Sequence, residues 1–77
     1  MNITLEFPGF LALKDIRSGD MVALPHSMTV VELLHHVGIR DMHIPHIQPF
    51  VNRAPARMDS RLADGDHLFL YIPVGGG

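Results

Sequence analysis

The stretch LADGDHLFLYIPVGGG, Leu62 to Gly77, contains a turn, a strand and a run of glycines in that order. Within LADGD, Leu62 to Asp66, Gly65 can adopt the positive φ that a tight turn requires. The six apolar and aromatic residues from His67 to Ile72 are typical of a central strand. The glycines, Gly75 to Gly77, are then either a linker or the site at which chemistry takes place.

Upstream of this stretch, three segments carry strand signals. Ile3, Leu5 and Phe7 alternate with polar residues, which predicts a strand with one buried face. Met21 to Leu24 is a short apolar run after the turn residues SGD, and Phe50 to Asn52 is a second short run. We therefore expect a hairpin between the first two strands and a further short strand before the final one.

The clearest local signal is a helix. Thr29 and Glu32 form a T-x-x-E capping box, and Gly38 can provide the left-handed residue after the C-terminus. Apolar residues repeat between them at the spacing of one helical face: Val30, Leu33, Leu34 and Val37. The pattern predicts one amphipathic helix of about nine to eleven residues.

The predicted element order is β-β-α-β-β in one domain of residues 1–77, with residues 73–77 as a flexible tail. Phe10 to Gly19 has no clear pattern, and the prolines of Ile39 to Pro49 predict a loop. One helix can cover one face of a mixed sheet, and both terminal strands are apolar enough to be central, parallel neighbours. This arrangement is the β-grasp fold, of the α+β class.

The composition excludes several classes of site. The chain has no Cys, so thiol nucleophiles, disulfides and thiolate metal sites are ruled out. Its formal charge is −2, so we interpret Arg53, Arg57 and Arg61 as part of a mixed surface and expect no nucleic-acid partner. The N-terminus lacks the features of a secretory signal, and no window approaches the ~18 apolar residues of a membrane span. We expect a cytoplasmic protein without a membrane partner.

Residues suited to metal binding or catalysis are present, but their spacing is unfavourable. Adjacent histidines on a helix point about 100° apart, and an H-x-x-H pair on a loop lacks a third ligand at a recognisable distance. These pairs are His35 with His36 and His43 with His46. Asp64 and Asp66 flank Gly65 and fit turn formation better than paired catalysis. We expect no metal site, and a carrier, substrate or binding module rather than an enzyme.

The last strand presents two different faces. Its aliphatic side chains, Leu68, Leu70 and Ile72, would pack under the helix. Phe69 and Tyr71 would then lie on the open face, where an exposed apolar patch typically marks a partner site. The alternative is that loop 10–19 or loop 39–49 covers these two rings.

Two segments resemble a known family. LPHSMTVVELLHHVGI, Leu24 to Ile39, resembles the capped-helix segment of the MoaD/ThiS sulfur-carrier family. LADGDHLFLYIPVGGG is similar to the C-terminal signature of that family, in which L-x-D-G-D precedes an apolar strand, a Pro or Ala, and Gly-Gly. The resemblance covers Leu24 to Gly38 and Phe50 to Gly77, and it implies the ubiquitin-like β-grasp fold.

For function, the resemblance implies that a ubiquitin-activating-type adenylyltransferase uses MgATP to adenylate the Gly77 carboxylate. The adenylate is then converted to a thiocarboxylate that donates sulfur to a biosynthetic enzyme such as the large subunit of molybdopterin synthase. Gly76 corresponds to the penultimate glycine, and the carrier holds no permanent cofactor. The residues expected to contact partners are Phe69, Tyr71, Pro73, Val74 and Gly75.

Two further segments bear on the acceptor pathway. The IPV before the glycines is closer to the small subunit of molybdopterin synthase than to the thiamine carrier, which favours molybdopterin or tungstopterin biosynthesis. Gly38 to Arg53 also resembles ubiquitin-like domains fused to a Mut7-C domain, which generally lack the Gly-Gly end. The alternatives are a thiamine-type or other sulfur carrier, a ubiquitin-like modifier, and a non-catalytic β-grasp binding module.

Overall fold

The computed structural model describes residues 1–73. It contains five strands and one α-helix in this part of the chain: β1 Asn2–Glu6, β2 Asp20–Ala23, α1 Val30–His36, β3 Gln48–Val51, β4 Ala54–Pro55 and β5 His67–Tyr71. Two single turns of 3-10 helix lie in the connections, at Gly9–Leu11 and Ile44–His46.

The strands form one mixed sheet in the order β2-β1-β5-β3-β4. The first and last strands, β1 and β5, are parallel neighbours, with Leu5 opposite Leu68. The pairs β1–β2 and β3–β5 are antiparallel. This topology confirms the predicted β-grasp arrangement, in which the final strand occupies the centre of the sheet.

The helix begins as its sequence predicts and ends earlier. The Glu32 amide donates to Thr29 Oγ1 at 3.3 Å, and the Thr29 amide donates to Glu32 Oε1 at 2.8 Å, so the capping box is complete. Gly38 takes the left-handed conformation with φ +92°. The predicted length of nine to eleven residues is wrong, because Val37 already departs from helical geometry at ψ 0° and α1 has seven residues.

The core lies between α1 and one face of the sheet. Val30, Leu33 and Leu34 of α1 are fully buried, as the helical spacing predicts. The remaining buried apolar residues come from the strands and connections: Ile3, Leu5, Phe7, Val22, Leu24, Met28, Ile39, Ile47, Leu62, Leu68 and Leu70. The helix is therefore held by burial of its apolar face, since seven residues are too few for a stable isolated helix.

Strand β3 begins and ends earlier in the sequence than predicted. Gln48 and Pro49 were expected in a loop, but β3 begins at Gln48 and ends at Val51, so Asn52 lies outside it. The carbonyl oxygen of Pro49 accepts a hydrogen bond from the Ala56 amide at 2.9 Å, so the nitrogen of Pro49 faces the same side, toward β4. Gln48 Nε2 donates to the carbonyl oxygen of Ala56 at 3.0 Å. The Gln48 side chain thereby supplies the donor that proline lacks.

Strand β4 is not predicted from the sequence, and the bounds of β1, β2 and β5 differ from the predicted ones by about one residue. Strand β4 has two residues, Ala54–Pro55, which is too short to show a period. It pairs with β3 through the two-residue loop Asn52–Arg53, both of which have positive φ, +50° and +71°. These angles are those of a type I′ hairpin turn, the connection that best matches the twist of a two-stranded ribbon.

Candidate docking site on the open face

The face of the sheet opposite α1 carries the aromatic side chains of β3 and β5. Phe69 is half-buried, and Tyr71 is 48% exposed. The ring centroid of Phe50 lies 6.1 Å from that of Phe69 and 6.5 Å from that of Tyr71. The three rings therefore form one aromatic surface on the side predicted for Phe69 and Tyr71.

The connections predicted as an alternative cover for these rings pack elsewhere. Residues 10–14 line a depression together with residues 37–40 and His43, beside the end of α1. Ile39 and Ile47 of the second connection belong to the core on the helix side. Within residues 1–73, the aromatic surface consequently keeps a solvent-exposed edge at Tyr71.

A concavity of about 730 Å³ opens on this face. Its apolar part is formed by Phe50 and Phe69, and the groups around them are polar or charged. We call this feature the open-face groove; its lining residues are Glu6, Phe50, Asn52, Arg53, His67 and Phe69. An apolar floor with a few polar groups at its edge is the usual composition of a binding site.

Glu6 and His67 form a polar pair at one side of the groove. Nε2 of His67 lies 3.0 Å from Oε1 of Glu6, and the contact is an ion pair when the imidazole is protonated. The residues are 61 positions apart in sequence and meet because β1 and β5 are parallel neighbours. The alternation along β5 places His67 on the same face as Phe69 and Tyr71, whereas no local pattern identifies Glu6 as its partner.

Asn52 fixes the hairpin turn at the other side of the groove. Its Nδ2 donates to Asp66 Oδ1 at 2.9 Å, and its Oδ1 accepts from the His67 amide at 2.9 Å. Asp66 Oδ2 also accepts from the Ala63 amide at 2.8 Å. One carboxylate therefore holds both its own turn and the adjacent β3–β4 turn.

The turn before β5 is also attached to the start of β1. Asp64 Oδ1 accepts from the Asn2 amide at 2.7 Å, and the Gly65 amide donates to Asn2 O at 2.7 Å. Gly65 adopts φ +87°, as the sequence predicts. Asp64 and Asp66 thus have structural hydrogen-bonding roles, consistent with their interpretation as turn residues.

The chain leaves the sheet at the end of its central strand. Strand β5 ends at Tyr71, Ile72 is half-buried, and Pro73 is exposed. The predicted site residues Val74, Gly75, Gly76 and Gly77 lie outside the described residues, so their assigned roles stay predictions. Pro73 is in the described part of the chain, two residues beyond the exposed Tyr71.

The three arginines that are close in sequence have different surroundings. Arg53 lines the open-face groove, whereas Arg61 Nη1 donates to Ser27 Oγ at 3.2 Å. Arg57 forms an ion pair with Asp59 at 3.3 Å. The hydrogen bond between the two side chains lowers the pKa of Asp59 and raises the pKa of Arg57. They do not form a joint anion site.

The histidines are likewise dispersed. His35 Nε2 lies 2.7 Å from Asp41 Oδ1, and His67 pairs with Glu6. Across residues 1–73, no three His, Asp or Glu side chains come together in a group that could hold a metal ion. In the same range, α1 and the 3-10 turns are all too short to cross a membrane.

Comparison with known proteins identifies similar solved structures. The thiamine biosynthesis protein ThiS from Geobacter metallireducens superimposes with a TM-score of 0.69 at 20% identity, over 100% of both chains. SAMP1 from Haloferax volcanii gives 0.68 at 21% identity, again over 100% of both chains. A putative molybdopterin converting factor, subunit 1, from Pyrococcus furiosus gives 0.69 at 19% identity, over 95% of this chain and 98% of its own.

No protein-family model matches the chain, and no curated protein matches it by sequence. At these identities, the structural similarity establishes the fold. The described residues have the ubiquitin-like β-grasp fold of these three structures. The fold implied by the sequence resemblance is therefore confirmed.

Proposed function

We propose that this protein is a sulfur carrier that acts through a thiocarboxylate at Gly77. The β-grasp body is the part that partner enzymes recognise, and the glycines are the part that enters their active sites. The protein itself is a carrier or substrate, or the small subunit of a sulfur-transferring synthase, rather than an enzyme.

The observation that carries the proposal is the path of the chain at the end of β5. The central strand leads directly through Ile72 and the exposed Pro73 toward the three glycines in the sequence. The aromatic surface of Phe50, Phe69 and Tyr71 lies on the same strand and its neighbour. A partner that binds this surface would have the glycines within reach, and glycines fit a narrow channel because they lack Cβ atoms.

A carboxylate is a poor acyl donor, so the Gly77 carboxylate must be activated before it can accept sulfur. In an adenylyltransferase of the ubiquitin-activating type, a Gly77 carboxylate oxygen attacks the α-phosphorus of MgATP and pyrophosphate leaves. Hydrosulfide, or a donor equivalent to it, then attacks the acyl carbon. The carbon–sulfur bond forms as the carbon–oxygen bond to AMP breaks, and the thiocarboxylate results.

The pathway we favour is molybdopterin or tungstopterin biosynthesis, with a sulfur-accepting enzyme such as a molybdopterin synthase large subunit as the second partner. The Pro73 that precedes the glycines supports this choice. One similar structure is a putative molybdopterin converting factor subunit and another is a thiamine biosynthesis protein, and their TM-scores are equal at 0.69. The choice therefore depends on the sequence near Pro73 and on the test below.

The proposal is tested by intact-mass measurement. The purified protein is incubated with ATP, sulfide and each ubiquitin-activating-type adenylyltransferase encoded in the source genome. Conversion of one carboxylate oxygen to sulfur adds about 16 Da. Removal of Gly77 and the substitution Gly76→Ala should each abolish the mass change while leaving the circular dichroism spectrum unaltered, since both changes lie beyond β5.

Three outcomes would contradict the proposal. An unchanged mass with every activating enzyme excludes the carrier chemistry. Thiol-resistant adducts with lysines, without free thiocarboxylate, indicate a protein modifier. A thiocarboxylate that is consumed by a thiazole-forming enzyme but not by a molybdopterin synthase large subunit retains the carrier role and overturns the pathway.

A further inference from the structure

Arg53 occupies an unusual position for a residue with a side chain. It is the second residue of the two-residue β3–β4 turn and has φ +71°, a region in which glycine is unstrained and other residues are disfavoured. Asn52, the first residue of the turn, is stabilised there by hydrogen bonds to Asp66 and His67. Arg53 makes no side-chain hydrogen bond within residues 1–73 that would compensate it in the same way.

Arg53 is exposed and lines the open-face groove together with Phe50 and Phe69. The other ionisable groups at the groove, Glu6 and His67, contact each other at 3.0 Å. Within the described residues, Arg53 has no carboxylate at ion-pair distance.

A backbone conformation that disfavours a side chain, combined with an exposed arginine at the edge of an apolar floor, indicates a recognition role. We propose that Arg53 is a specificity-determining residue of the open-face groove, where it pairs with a carboxylate on the activating enzyme. The matching segment of that enzyme presents an apolar side chain to Phe50 and Phe69, and an Asp or Glu to Arg53. This inference rests on the proposed function, because it takes the activating enzyme as the partner.

The geometry of arginine explains the choice of carboxylate. Its planar guanidinium donates two parallel hydrogen bonds to a carboxylate, so the pair specifies orientation as well as charge. The aromatic floor excludes water from one side of the pair, which strengthens it relative to a fully solvated contact. Arg53 would thus orient the carrier on the enzyme so that the end of β5 faces its active site.

Arg53→Gly separates the recognition role from a structural one. Glycine relieves the strain at φ +71°, so this variant should be more stable than the wild type to urea and yet bind more weakly. We expect its dissociation constant for the full-length activating enzyme, measured by calorimetry without ATP, to rise about 5- to 20-fold. Arg53→Lys keeps the charge but loses the paired donors, so its dissociation constant should lie between those of the wild type and Arg53→Gly.

The matched control is Arg57→Gln. It removes the same charge from an exposed site outside the groove, where Arg57 pairs with Asp59. Its dissociation constant should stay within about twofold of the wild type. Raising the ionic strength from about 0.05 M to about 0.5 M should reduce the difference between wild type and Arg53→Gly, because the Debye length falls severalfold.

The binding and mass measurements distinguish the two proposals. Thiocarboxylate formation with equal binding of wild type and Arg53→Gly overturns the role of Arg53 and retains the carrier function. Arg53-dependent binding without any mass change retains the docking pair and overturns the carrier chemistry. The inference is overturned if the wild type does not bind the activating enzyme. It is also overturned if the wild type forms a homodimer that Arg53→Gly dissociates, because the groove would then bind a second copy of the chain.

Discussion

Adjacent residues of β5 face opposite sides of the sheet and have different surroundings. Leu68 and Leu70 are fully buried beneath α1, whereas Phe69 is half-buried and Tyr71 is 48% exposed. The covered face is apolar and closely packed. The open face combines aromatic rings with the Glu6–His67 pair, Asn52 and Arg53. The difference indicates that one face stabilises the fold and the other is available for recognition.

The elements next to the two faces of the sheet are held in place by different interactions. On the covered side, α1 is held mainly by burial of Val30, Leu33 and Leu34. On the open side, both residues of the β3–β4 turn are exposed, and Asn52 holds the turn through hydrogen bonds to Asp66 and His67. Packing therefore secures one side of the sheet, and a polar network secures the turn that borders the groove.

The largest expected effect compares Leu70→Ala with Tyr71→Ala. Leu70 is fully buried, so its truncation should lower the free energy of unfolding by about 2–5 kcal/mol through lost burial and the remaining cavity. Tyr71→Ala removes a larger side chain but should cost about 1 kcal/mol, because half of that side chain is already in water. Urea denaturation measures both values, and equal losses would contradict the assignment of the two faces.

An intermediate effect is expected at the turn bordering the groove. Asn52→Ala removes the hydrogen bonds to Asp66 and His67 and places alanine at φ +50°, so it should cost about 1–2 kcal/mol of unfolding free energy. Asn52→Gly is the control, since it loses the same hydrogen bonds but tolerates the backbone angle. Its cost should be smaller; if glycine proves as destabilising as alanine, backbone strain contributes nothing at this turn.

The smallest effect concerns the pH dependence of the helix on the covered side. The Thr29 amide and then the Thr29 hydroxyl hydrogen-bond the Glu32 carboxylate and lower its pKa from the usual 4.5. The native protein therefore binds this proton less tightly than the unfolded chain. The stabilisation is present above about pH 4.5 and is lost as the pH falls through the lowered native pKa.

Comparison with Glu32→Gln isolates this contribution. The wild type should unfold at a higher urea concentration than the variant at about pH 7, and the difference between the two midpoints should be smaller at about pH 3. Glu32→Ala provides the baseline that keeps the Thr29 cap but has no side-chain acceptor for the Thr29 amide. A constant difference between wild type and Glu32→Gln at both pH values would show that the carboxylate charge has no role in the cap.

Local patterns were sufficient to predict several elements of this fold. The capping box at Thr29 and the apolar spacing from Val30 onward identified α1, because both depend on residues within a few positions of each other. Gly65 and its flanking aspartates identified the turn before β5 for the same reason. The alternation along β5 also placed Phe69 and Tyr71 on the face away from the helix.

Features that depend on long-range pairing were not predictable from these patterns. The prolines suggested a loop through Pro49, but the Gln48 side chain supplies the missing hydrogen bond and allows β3 to form there. Strand β4 exists because β3 provides a partner for its two residues. The Glu6–His67 contact requires β1 and β5 to be adjacent and parallel.

Residue spacing alone predicts the β-grasp class, the helix, the turn before β5 and the two faces of β5. These properties follow from local periodicity and from the backbone angles that glycine and capping residues favour. The composition of the open-face groove, in contrast, arises only from strand pairing, which brings Glu6, Arg53 and His67 together around two phenylalanines. That site depends on strand order and on the left-handed angles at Asn52 and Arg53, which arise only when β3, β4 and β5 pair.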